Sequence, residues 1–161
     1  KTVGDSYMCA GGVPIKNTTN PVDIDLAAFE MRDFISKIKK EQAEKRRTLW
    51  KVRIGIHTGE IISGVVGKKK FAYDIWGDAV NTASRLEQAG LPNKINISGI
   101  TYELIKDFFD CTYRGKIPVK HKGEIDMYFV ERIRQEYSVD DYGRIPSQDF
   151  WNLYEQLKGN D

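Results

Sequence analysis

Residues 71–87 read FAYDIWGDAVNTASRLE: a short aromatic strand, a turn at Gly77, Asp78 in a helix-capping position, then a helix carrying Asn81 and Arg85. Those two polar side chains stand one helical turn apart and project from a common face, while Val80, Ala83 and Leu86 point toward the body. Taken alone, Asn and Arg four positions apart more often describe a solvated helix face. They also offer a neutral hydrogen-bonding group and a fixed cation to an oxyanion, for which phosphate is the natural candidate.

Upstream of this stretch, Trp50, Val52, Ile54 and Ile56 alternate with Lys51, Arg53, Gly55 and His57, the period of a half-buried strand. Thr58, Gly59 and Glu60 turn the chain into a second strand over residues 61–66, which predicts a hairpin with a loop longer than two residues. The segment GVVGKKK (64–70) is no phosphate loop of the Walker type: that motif needs four residues between its glycines and a Ser or Thr after the Lys. Gly59, Gly64 and Gly67 read instead as turn and close-packing positions. A GTPase or kinase reading fails on this point.

Further upstream, Asn20 and Pro21 open a helix whose Ala27, Met31, Phe34, Ile35 and Ile38 form one stripe, with a polar far end over residues 39–47. Residues 2–11 read as a strand followed by a Gly-Gly turn. Lys1 sits at the very start of that strand, so the chain looks cut there.

Downstream, Gly90 is placed to end the Asp78 helix, residues 94–97 form a short strand, and Ser98 caps a helix running through Phe108. Residues 111–119 and 126–132 alternate again, with Gly123 between them. Strands interleaved with helices and joined by hairpins predict an α/β chain of the α+β kind, a mixed, largely antiparallel sheet with helices packed on it. After Arg134 the pattern changes: residues 137–144 are polar and turn-rich, Pro146 and Ser147 open a helix, and Phe150, Leu153, Tyr154 and Leu157 make one apolar stripe. That stripe suits docking on its own domain or a dimer or partner contact.

A length of 161 residues allows one domain with a modest tail, and 40% hydrophobic with 30% charged residues describes an ordinary globular protein. A net charge of +2 is too weak a field to argue for nucleic acid. The basic tracts at Lys45, Arg46, Arg47 and at Lys68, Lys69, Lys70 are local. Cys9 and Cys111 lack metal-ligand spacing and form no disulfide framework, which makes a reducing, cytoplasmic setting the default, and His57 and His121 are too isolated to argue for zinc. No apolar run approaches a membrane span.

The order of four segments carries more weight than any one of them. KTVGDSYM (1–8), RIGIHTGEIISGVVG (53–67), FAYDIWGDAVNTASRLE (71–87) and VKHKGEIDMYFV (119–130) stand in the sequence and near the spacing of class III nucleotidyl cyclase catalytic domains, which the chain resembles over about residues 1–132. The resemblance implies a ferredoxin-like cyclase fold lacking its first strand and helices, with a catalytic domain over residues 1–134 and a C-terminal extension over 135–161. Asp5 matches one of two metal-binding aspartates; the other belongs to a strand ahead of residue 1. By the same resemblance Lys1 and Asp74 look at adenine, offering a donor to a ring nitrogen and an acceptor to the exocyclic amino group. Guanylate-type members usually carry Glu and a small residue such as Cys there.

Asn81 would orient the ribose, Arg85 would meet the α-phosphate, and Lys120, with Lys122 as second choice, would reach the β- and γ-phosphates. The implied reaction is adenylate cyclisation, ATP to cyclic AMP and pyrophosphate, with two magnesium or manganese ions and a homodimer whose active sites form at the interface. Guanylate cyclisation, or a non-catalytic nucleotide-binding or dimerisation module, stands as the alternative. The retained Asn81 and Arg85 favour an enzyme. The resemblance further implies little activity from residues 1–161 alone, and membrane or sensor segments elsewhere in the parent protein.

Overall fold

The computed structural model describes residues 1–44, 51–67, 71–119 and 123–159. Its centre is a four-stranded sheet in the order β3-β6-β8-β7, built from β3 (Ile54–Ile56), β6 (Ile95–Ser98), β8 (Gly123–Ile133) and β7 (Phe109–Val119). β3 runs parallel to β6, while β6–β8 and β8–β7 are antiparallel. Two antiparallel hairpins stand apart from that sheet: β1 (Thr2–Val3) with β2 (Ser6–Tyr7), and β4 (Ile62–Val66) with β5 (Ala72–Trp76). The mixed, mainly antiparallel α+β architecture expected from the sequence is present.

Register decides which residues share a face, since paired positions point the same way. Ile54 pairs with Ile95, Ile56 with Ile97, and Ile95 with Val130, which gathers an apolar face. Onto it pack α1 (Asn20–Glu44), α3 (Gly99–Ile105) and α4 (Gln148–Lys158) through Val22, Phe29, Ile105 and Phe150, all buried. Phe150 is the keystone of this layer. Its ring meets Phe108 at 5.1 Å and Phe109 at 6.0 Å, both edge-on, the arrangement that aromatic quadrupoles favour.

α2 (Asp78–Ala89) covers the opposite face, where Asn96 donates from Nδ2 to the Leu86 carbonyl at 2.7 Å. The helix comes so close that a Cβ on Gly55 would stand 2.2 Å from the Glu87 amide nitrogen and 2.4 Å from the Ala83 carbonyl oxygen. Only glycine fits a strand pressed against a helix backbone in this way.

Several sequence-based expectations are corrected. β3 and β4 do not form a hairpin; β4 pairs with β5, and the partner of β3 is β6, because the crossover through α2 lets a parallel neighbour compete with the nearer strand. Residues 2–11 are not one strand, since Gly4 at φ 62° breaks them into a tight hairpin. Along α1 the buried residues include Pro21, Val22, Asp25, Ala28 and Phe29, while Met31 and Phe34 of the expected stripe are exposed. Along α2 it is Ala79, Thr82 and Leu86, so Val80 and Ala83 lie at the margins of the buried stripe.

The capping expectations fared better. Ser98 and Ser147 accept from the amides of Thr101 and Phe150, and Gly90 closes α2. Asp78, however, is the first residue of α2, and Gly77 occupies the cap at φ 142° with no side-chain bond. The carboxylate of Asp78 acts there through its charge in the first turn. The C-terminal stripe docks on the domain itself, with Leu153, Tyr154 and Leu157 packed against the core beside Phe150.

Candidate active site

Lys1 and Asp74, separated by most of the domain in sequence, meet directly. Lys1 is held by the first hairpin, where the Met8 amide donates to the Lys1 carbonyl at 2.8 Å, and its Nζ lies 2.5 Å from Asp74 Oδ1. Asp74 sits at the centre of β5 opposite Gly64, and its Oδ1 also accepts from the Ile75 amide at 2.8 Å. The hydrogen bond from Lys1, and after it the one from the Ile75 amide, holds the Asp74 carboxyl below the usual carboxylate range. The acceptor is therefore ionised throughout the neutral range.

Around this pair opens a pocket of about 230 Å³, walled by Met8, Ala10 and Val13 on one side and Tyr73 and Ile75 on the other. Walls of mixed polarity, with a donor and an acceptor side by side, suit a flat, heteroaromatic ligand. The sequence did not announce Met8, Val13 or Tyr73 as neighbours of the pair. Nothing in their local pattern signals that residues 8–13 and β5 face one another.

Asn81 and Arg85 both lie on the exposed face of α2, and neither hydrogen-bonds or pairs with another described residue. Their shared face was legible from spacing alone. Rigid attachment through Gly55 and Leu86 leaves the helix a fixed platform for a guanidinium aimed outward. Asp5 is exposed in the turn between β1 and β2, directly after Gly4. Lys120 and Lys122 lie outside the described residues.

The donor set was tested for the divalent ions that the resemblance implies. Among the described residues no group of three or more His, Cys, Asp or Glu side chains gathers at one place. Asp5 alone supplies one carboxylate, and magnesium keeps an octahedral shell of oxygens drawn from one or two carboxylates, waters and substrate phosphates. A two-metal site does not fit the described residues by themselves.

A buried polar chain supports the neighbouring loop. His57 Nδ1 lies 2.7 Å from Ser98 Oγ, Ser98 Oγ lies 3.1 Å from Thr101 Oγ1, and the Thr58 amide donates to Thr101 Oγ1 at 2.9 Å. The chain fastens the end of β3 to the start of α3. His57 has an architectural part in this.

The Adenylate and Guanylate cyclase catalytic domain family model matches residues 1–132. The chain is 39% identical over 131 residues to human guanylate cyclase soluble subunit beta-2, a match covering 81% of the chain and 21% of that protein. It is 36% identical over 130 residues to an adenylate cyclase of Mycobacterium tuberculosis, covering 81% of the chain and 28% of that protein. The chain thus spans only about a fifth to a quarter of the length of these relatives. Among solved structures, the guanylate cyclase domain of RhGC from Catenaria anguillulae in complex with GTP superposes with a TM-score of 0.73 at 29% identity, covering 83% of the chain and 71% of that structure. With a match over residues 1–132 and this superposition, the chain belongs to the family of adenylate and guanylate cyclase catalytic domains.

Proposed function

We propose that this nucleotidyl cyclase domain is of the adenylate type, converting ATP to 3′,5′-cyclic AMP and pyrophosphate by attack of the ribose 3′-hydroxyl on the α-phosphate. The observation that carries the base assignment is the Lys1–Asp74 pair in the pocket between residues 8–13 and β5. A Lys donor suits the ring nitrogen of adenine, and an ionised Asp suits its exocyclic amino group; guanine presents the reverse pattern on that edge. Relatives of both kinds are similar to the chain, so the choice of base rests on these two side chains.

Arg85 is the group proposed to meet the charge that grows on the α-phosphate as it becomes five-coordinate, with Asn81 orienting the ribose. Lys120 is proposed for the departing phosphates. Asp5 is proposed as this chain's one carboxylate toward a divalent ion, whose remaining ligands the described residues do not supply.

A homodimer is part of this reading. Asp5 and the Asn81–Arg85 face belong to separate elements, and the β4–β5 hairpin exposes Ile62, Val65 and Phe71, apolar surface of the kind an interface covers. An ATP-consuming signalling domain works on the cytoplasmic side; among the described residues no helix is long and apolar enough to cross a membrane.

The test is the product. Full-length chain incubated with ATP or GTP and magnesium or manganese should release cyclic AMP at a kcat/KM at least tenfold above that for cyclic GMP. Equal or inverted preference would overturn the adenylate assignment while leaving the family intact.

A further inference from the structure

The helix α4 lies beyond the stretch matched by the family model, yet its side chains reach the start of α1. Tyr154 Oη donates to Asp23 Oδ1 at 2.6 Å, and Thr18 Oγ1 donates to the Leu157 carbonyl at 2.5 Å. Asp23 is itself fixed to the turn ahead of it, accepting from Thr19 Oγ1 at 2.8 Å, while the Asp23 amide donates to the Thr19 carbonyl. Thr19 is buried. The first turn of α1 is thus clamped from the C-terminal side by two bonds more than 130 residues away in sequence.

That first turn is also the seat of the pocket wall. A Cβ on Gly11 would meet Asn20 Cβ at 3.0 Å and Ile24 Cγ1 at 3.1 Å, and one on Gly12 would meet Asn20 Nδ2 at 3.1 Å. The backbone at Gly11 and Gly12 therefore rests against the Asn20 and Ile24 side chains of α1, with no side chain of its own between. Ala10 and Val13, on either side of those glycines, line the pocket around Lys1 and Asp74. A displacement of the α1 terminus is passed to the wall through hard contacts.

We propose that Tyr154 is a positioning residue for the base pocket: through Asp23 it holds the start of α1, and through Asn20 and Ile24 the wall at residues 8–13, in the geometry that grips the base. The use of that wall rests on the adenine reading given above; its restraint by α4 does not. Tyr154 touches neither the pocket nor any reacting atom, and its ring stays packed on Trp151 whether or not the hydroxyl is present. Removing the hydroxyl alone isolates the effect.

Hydrogen exchange on the 161-residue chain reads the restraint. Tyr154→Phe should speed exchange of the Met8 amide and of the amides at residues 23–26 about fivefold, the size expected for one lost bond to a charged acceptor, with β6 and β8 unchanged. Met127→Ala, a truncation on the α2 face of the sheet, should leave residues 8–26 alone. Unchanged exchange at Met8 in Tyr154→Phe, or equal acceleration in Met127→Ala, would overturn the proposal. Titration with ATP separates the two readings: a wild-type chain that binds no ATP sinks the adenine pocket and leaves exchange to decide the restraint. If wild type binds, Tyr154→Phe should bind several-fold more weakly, and unaltered affinity counts against positioning.

Discussion

Lys1 Nζ and Asp74 Oδ1 lie 2.5 Å apart, each the nearest charge to the other, at the mouth of a pocket that belongs to neither hairpin alone. An entering base must slip between donor and acceptor or take over their bonds, so the pair tests its ligand by pattern. The double substitution Lys1→Glu with Asp74→Cys replaces donor and acceptor by an acceptor and a weak thiol group. It should move the ATP-to-GTP ratio of kcat/KM by at least tenfold toward GTP, less than a fully built polar site achieves because the rest of the pocket is unaltered. A ratio that stays where it was means that neither residue reads the base.

A second expectation concerns Arg85. The side chain is exposed and unpaired among the described residues, so Arg85→Ala should change stability by no more than about 0.5 kcal/mol. Its guanidinium is proposed to act on charge that exists only in the transition state, and its loss should lower kcat about 100-fold with little change in KM. Cyclic AMP formation at the wild-type rate, measured alongside an unchanged melting temperature, would remove Arg85 from the chemistry.

Local chemistry made much of this fold legible. Ser98 and Ser147 announce their helices because a hydroxyl before a periodic run has one good use, and the Asn81–Arg85 face follows from helical spacing alone. Contacts made across the chain did not show. The choice of β6 over β4 as the partner of β3 depends on closing a crossover, and Asp25 in the buried stripe of α1 breaks the apolar pattern used to find that stripe. The pocket was half legible: Lys1 and Asp74 were named through resemblance, whereas the wall that makes them a pocket arises from packing between β1–β2, α1 and β5.

Gly55 offers a test of how far the site depends on the fold. With the Glu87 nitrogen 2.2 Å and the Ala83 oxygen 2.4 Å from an added Cβ, Gly55→Ala forces backbone against backbone, which no rotamer can relieve. A loss of about 3 kcal/mol or more is expected, at the upper end for overpacking. Because the displaced element is α2, nucleotide turnover should fall even at temperatures where the variant remains folded. Urea unfolding and activity below the transition check both halves; a stable, fully active Gly55→Ala would mean that α2 does not press on β3 as described.

The last expectation follows from Asp25, whose carboxyl is wholly buried, with neither oxygen hydrogen-bonded among the described residues. Burial pushes its pKa well above the ordinary value, so the folded state keeps the proton that the unfolded chain releases near pH 4. For an acid raised in this direction, stability is highest below the unfolded pKa. It falls by about 1.4 kcal/mol per pH unit as pH climbs toward the folded pKa, beyond which the loss is complete. Asp25→Asn has no proton to hold. Its melting temperature should match or fall slightly below wild type near pH 4 and exceed it increasingly as pH rises from there toward the folded pKa, by several degrees. Cys111, whose thiol is pushed up to about 12 first by burial and then by Asp25, is the ionisable side chain on β7 that shares this region, and Cys111→Ala should leave the trend in place. Parallel melting curves for wild type and Asp25→Asn across that range would show that the carboxyl finds water or a partner, and that α1 carries no buried acid.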